Sequence, residues 1–165
     1  MELNWFVILG AGFIPLIIGS VWYSPALFAS AWMKEAGLIQ EDLKKSNLIK
    51  VFGLTLIFGM MLAVALTSIV IHQMGAMASL SLPEFYQEGS EVSLYFKDYL
   101  AKYGQNFRSF KHGALHGTIT GIFIFLPIIG VNALFERKSW KYILINVGFW
   151  TLCSIFMGGI ICAFA

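Results

Sequence analysis

The chain has 165 residues, of which 58% are hydrophobic and 12% charged, and its mean hydropathy is +0.76. A soluble domain carries about 25% charged residues; this chain has too few polar side chains to shield the apolar ones from water, which points to lipid as its surround. The net charge of +2 is spread without a basic block or acidic tail, which excludes nucleic acid as a partner.

A helix needs about 20 apolar residues to cross the hydrocarbon core. The uncharged stretches predict spans over residues 4–23, 51–72, 112–134 and 141–164, with a long second loop over 73–111. The expected fold is an all-α integral membrane protein: a four-transmembrane-helix bundle forming a single membrane domain over 1–165, with an interfacial helix and a helical extracytoplasmic loop. Membrane lipids are the expected surround.

The first span is not read as a signal peptide. Ala29-Ser30-Ala31 resembles a cleavage site, but Met1-Glu2-Leu3-Asn4 has no basic character and the apolar run exceeds the usual about 7–15 residues. Trp22 and Tyr23 suit the headgroup level, as do Trp32 and Trp140 farther on. Pro25 disfavours helical geometry at Ser24 and is expected to end or bend the span. Leu27, Phe28, Ala31 and Trp32 then recur at helical spacing, which predicts a short interfacial helix stopped by Gly37. Gln40 to Lys45 reads as a solvated helical turn.

Breaks at Pro83 and Gly89 divide the long loop. Val92 to Tyr103 forms an amphipathic pattern with Tyr95, Phe96, Tyr99 and Tyr103 near one face.

Span three carries Gly113, Gly117 and Gly121, four residues apart, so one helical face is bare backbone. Thr151, Ser154, Gly158 and Cys162 make a comparable row on span four. These faces are expected to meet each other or to support self-association. Asn132 and Asn146 fall inside spans three and four, where an unpaired amide is costly. They are expected to bond to each other, to backbone, or to spans one or two.

All three histidines fall at one membrane face. His72 ends predicted span two, while His112 and His116 open span three, four apart and so on one helical side. Cys162 ends span four on the same side, and Thr120 continues the stripe one turn deeper. Imidazoles at i and i+4 can point at one ion, and Met74 and Met77 are nearby in sequence. The competing expectation is a hydrogen-bonded structural cluster with the loop acids Glu84, Glu88 or Glu91. The sequence requires no cofactor; a metal or haem on the imidazoles is the alternative. The two cysteines, Cys153 and Cys162, are nine apart on one helix and do not pair.

No Asp, Glu, Lys or Arg lies deep in a predicted span, which disfavours a channel or carrier. No nucleophile–base arrangement or phosphate-cradling loop argues for an enzyme. Lys34, Lys44, Lys45, Lys50, Arg137, Lys138 and Lys141 flank one side; Lys97, Lys102, Arg108 and Lys111 are on the other. Seven against four predicts both termini extracytoplasmic, with the first and third loops in the cytoplasm.

Pro15-Leu16-Ile17-Ile18-Gly19 followed by Ala26-Leu27-Phe28 parallels Leu126-Pro127-Ile128-Ile129-Gly130 followed by Ala133-Leu134-Phe135. Spans one and three run the same way, so two pseudo-repeated helical hairpins are a further expectation, with Pro15 and Pro127 bending their helices.

At Trp22-Tyr23-Ser24-Pro25-Ala26-Leu27-Phe28 with Trp32-Met33, the chain resembles the family called domain of unknown function 1761. The resemblance continues at Asn132-Ala133-Leu134-Phe135-Glu136, at Asn146-Val147-Gly148-Phe149 and at Met157-Gly158-Gly159. It implies a small bacterial four-helix membrane protein and brings no activity, substrate or catalytic residue. The first functional expectation is a non-enzymatic, self-associating or accessory subunit of a larger membrane complex. The alternative is a lipid, small-ligand or metal binder using the histidines.

Overall fold

Four helices are long and apolar enough to cross a membrane: Trp5–Trp22, Leu48–Val70, Phe110–Phe135 and Trp140–Phe164. The computed structural model describes residues 2–165, and every regular element among them is helical.

Two of the four spans are interrupted, each just before a proline. Helices α1 (Trp5–Ala11) and α2 (Ile14–Trp22) are separated at Gly12 and Phe13, where i→i−3 bonds to Leu9 and Gly10 tighten the turn. Pro15 occupies the first turn of α2, where its missing N–H leaves no gap in the ladder. Tyr23 and Ser24 leave the helix, and α3 (Ala29–Ala36) ends at Gly37, whose φ of +77° is the left-handed cap that glycine adopts without strain. A short α4 (Gln40–Lys44) leads into α5 (Leu48–Val70), which is unbroken and capped by the Asn47 side chain.

Sequence periodicity carries span two to His72, but α5 stops at Val70. Ile71 is extended, and α6 (His72–Leu80) starts afresh. No glycine or proline sits at the break. The Val70 carbonyl instead accepts from the Cys162 thiol at 3.3 Å, a tertiary contact that local patterning cannot reveal. After a 3₁₀ turn at Pro83–Tyr86 comes α7 (Glu91–Tyr103), with Ser90 as N-cap. Phe96 on its inner face is buried and Tyr99 stacks beside it, whereas Tyr95 points outward at 62% exposure and so lies off the shared face expected of it.

Span three comprises α8 (Phe110–Thr120), a π-helical turn over Gly121–Phe125 and α9 (Leu126–Phe135). The Leu126 N–H reaches the Gly121 carbonyl five residues back. This widened turn accommodates Pro127, which has no N–H and whose ring crowds the carbonyl four residues earlier. The final span is α10 (Trp140–Phe164), capped by Ser139.

Helix α10 is the hub. Half of its most apolar stretch is buried within the chain, against 11% for α5. Ile8, Ile14, Ala63, Leu66, Val70, Phe149, Cys153, Met157 and Ile161 form the main core. Large apolar side chains such as Phe6, Phe123 and Phe135 point outward, as lipid contact requires. The closest crossing is between α8 and α10. A Cβ added at Gly113, Gly117 or Gly121 would run into Gly158, Ser154 and Thr151 respectively. The glycine row is thus taken up inside the chain and offers no free face to a second copy. A second close crossing, Gly12 against Gly59 and Met60, joins span one to span two.

Candidate functional site

One end of the bundle gathers the imidazoles. Breaking the helix at Ile71 turns His72 toward α8, where His112 and His116 share a face one turn apart. Nε2 of His72 and Nε2 of His112 are 2.8 Å apart. The ring centroids are 4.9 Å apart for His72–His112 and for His72–His116, and 4.6 Å for His112–His116. One ring nitrogen from each residue lies within 4.8 Å of those of the other two. His72 is exposed and the other two are half-buried, so water can reach the cluster.

The surroundings hold these rings in place. Phe107 packs against His112 with centroids at 5.0 Å and against His72 at 6.0 Å. Its φ of +62° is unusual for a bulky residue. The Phe107 carbonyl lies 3.2 Å from the Cys162 sulfur. Cys162 therefore does not join the imidazoles: its buried thiol is directed at the Val70 and Phe107 carbonyls, securing the two backbone segments that flank them. Thr120 likewise turns its hydroxyl to the His116 carbonyl, at 2.9 Å. Met74 packs on the apolar core. No hydrogen bond joins Glu84, Glu88 or Glu91 to an imidazole among the described residues; the rings instead meet each other.

Two residues that sequence reasoning passed over shape this end. Gln73 is 2% exposed, and its amide nitrogen donates to the Tyr103 carbonyl at 3.0 Å and the Asn106 carbonyl at 2.9 Å, fastening α7 to the start of α6. Its Oε1 is buried without a partner. Beside it an open groove of about 440 Å³ is lined by His72, Gln73, Tyr99, Tyr103, Asn106 and Phe107. Arg108 donates to the Cys162 and Ala165 carbonyls, placing its positive charge at the negative end of the α10 dipole. A polar residue directly after His72 and an arginine just before span three were the available signals.

The opposite end is held by aromatics. Trp22 Nε1 donates to the Ile145 carbonyl at 3.2 Å, and its ring lies over Gly148. The Tyr23 hydroxyl donates to Asn146 Oδ1 at 3.2 Å, and Asn146 Nδ2 donates to the Tyr142 carbonyl at 2.8 Å. Tyr23 also packs against Trp32 and Phe149. Lys138 donates to the Ala36 carbonyl at 2.7 Å and Ser139 to Glu35, tying the last turn to α3. Trp140 is exposed. Asn132 does not join Asn146. It sits on the outer face of α9, three residues from the end of the helix, and its side chain makes no hydrogen bond among the described residues.

The residues that meet here, Trp22, Tyr23, Phe28, Trp32, Asn146 and Phe149, are also residues that carry the family resemblance. The family model described as "Protein of unknown function (DUF1761)" matches residues 6–162. The chain belongs to this family. No curated protein and no solved structure matches the chain. In this DUF1761 chain the resembling segments around Trp22 and Asn146 meet at one end, whereas Met157-Gly158-Gly159 packs against the start of α8 at the other, where the imidazole cluster stands.

Proposed function

We propose that this multi-pass membrane protein binds a first-row transition-metal ion through His72, His112 and His116. The observation that carries the reading is the convergence of three imidazole nitrogens within 4.8 Å of one another. Such ions bond imidazole at about 2.0–2.1 Å, so nitrogens at neighbouring corners of a tetrahedron stand about 3.3 Å apart. The 2.8 Å between His72 and His112 and the 4.8 Å outer limit bracket that spacing. Small ring rotations close the set on an ion. Neutral imidazoles favour zinc, copper, nickel or iron over magnesium or calcium. Three protein ligands leave a fourth position open to water or a further ligand.

The packing around the rings supports the same reading. Phe107 and the Cys162-secured backbone hold them in a fixed cluster, which lowers the cost of ordering ligands when the ion arrives. The lysine and arginine distribution supports an extracytoplasmic histidine end, which would have the site take its ion from the non-cytoplasmic side of the membrane.

The test is metal titration of purified, chelator-treated protein in mild detergent. One equivalent of zinc or cobalt should bind, and His112→Ala and His116→Ala should each weaken binding at least tenfold while the protein stays folded. Wild-type protein that takes up no metal would end the proposal.

A further inference from the structure

The long second loop packs largely on itself, and its attachments to the bundle gather around the imidazoles. Phe85, Phe96, Tyr99 and Tyr103 follow one another with ring centroids 5.3, 6.0 and 5.6 Å apart, and Phe96 is buried. The side-chain hydrogen bonds of Ser79, Ser81, Ser90, Ser93 and Lys102 all stay within the loop. Between Gly75 and Lys102 no hydrogen bond reaches a membrane-spanning helix among the described residues. The bonds that hold the loop sit at its two ends. Gln73 at the start donates to the Tyr103 and Asn106 carbonyls, which draws the two ends together. At the far end the Cys162 thiol meets the Phe107 carbonyl, and Arg108 donates to the Cys162 and Ala165 carbonyls.

The three imidazoles stand between those ends. His72 is the first residue of α6, on the loop side of the break at Ile71, whereas His112 and His116 belong to the third span. One ion bonded to all three ties the start of the loop to α8 across forty positions of sequence. A segment held by few hydrogen bonds opens locally more readily than a packed core. A ligand that binds only the closed arrangement suppresses that opening by mass action. We infer that the ion is the clasp of the outer loop: filling the site fixes α6 and α7 on the bundle, emptying it releases them, and the loop thereby responds to metal on its side of the membrane. This inference rests on ion binding by the three histidines and adds what that binding controls. The ligands have unequal parts in it. His72 alone carries the link to the loop, while His112 and His116 anchor the ion to the span.

The test follows amide hydrogen exchange of the full chain in mild detergent, either chelator-treated or with free zinc at about 100 times the dissociation constant measured on the same sample. At that excess, exchange through opening of α6 and α7 should slow by about a hundredfold, and by at least tenfold. Exchange in α3, at the opposite end of the bundle, should not change. His116→Ala keeps one ligand on each side of the clasp, so the slowing should persist once zinc saturates that variant. His72→Ala keeps both ligands on α8 and should bind zinc without slowing exchange in the loop. His72 is exposed, so its replacement spares the packed core; the wild-type comparison decides the matter if a variant does not fold. Zinc that binds the wild type without slowing exchange in α6 and α7, or slowing that survives His72→Ala, would overturn the inference and leave ion binding itself standing. Absence of zinc binding would remove both.

Discussion

His72 Nε2 and His112 Nε2 are in hydrogen-bonding contact at 2.8 Å, although forty positions separate them in the chain. For that contact one ring must carry the proton and the other the lone pair. Protonating both replaces attraction with repulsion, and a protonated ring cannot ligate an ion. Metal affinity should therefore fall as the pH is lowered and protons compete with the ion for the ring nitrogens. Competition titrations at several pH values measure this. A flat profile would contradict ligation by histidine.

Phe107 combines a left-handed backbone with a ring laid against two of the histidines. Holding a non-glycine residue there costs about 1–3 kcal/mol. Phe107→Gly removes that cost and the ring together. Thermal stability should not decrease, while zinc affinity should drop by about ten- to a hundredfold, as it does when residues that orient ligands are lost. Melting curves and metal titration of the one variant separate the two effects.

Gly117 and Gly130 lie on the same span in opposite circumstances. A Cβ at Gly117 meets the Ser154 backbone, which cannot swing aside, whereas one at Gly130 meets open space. Gly117→Ala should destabilise the bundle by about 1–3 kcal/mol. Gly130→Ala should be neutral or stabilise it by up to about 1 kcal/mol. Unfolding in mixed micelles reports both values.

Tyr23 and Asn146 hydrogen-bond across 123 positions of sequence. A double-mutant cycle with Tyr23→Phe and Asn146→Leu should give a coupling of about 0.6 kcal/mol and no more than about 2 kcal/mol. Asn132→Leu should leave stability unchanged, because its amide bonds to nothing within the described chain.

These contrasts also mark what was legible in the sequence. Hydropathy placed the four spans, because lipid imposes a length and an absence of charge that any one sequence displays. The Gly37 cap was legible because a positive φ favours one residue type. The i, i+4 spacing of His112 and His116 put both on one face. The turn at Ile71 that brings His72 to them was not legible: no glycine or proline marks it, and the Cys162 thiol that meets the freed Val70 carbonyl comes from 92 positions away. The same spacing logic grouped Cys162 with the histidines by depth, but depth along a helix says nothing about which side it faces. Asn146 takes two of the partners expected of it, the Tyr142 carbonyl and Tyr23 at the end of span one, whereas Asn132 lies on the outer face of α9 and bonds to none of them among the described residues. Gln73 was passed over because its role rests on the carbonyls of Tyr103 and Asn106, supplied by the far end of the long loop.

The claim on which the account turns is that His72, His112 and His116 close on one ion. X-ray absorption of the zinc-loaded protein measures that directly. The first shell should contain three imidazole nitrogens at about 2.0–2.1 Å plus one exchangeable oxygen ligand, reduced by one imidazole in His116→Ala. A shell of water oxygens alone, or an imidazole count unchanged by that substitution, would contradict it.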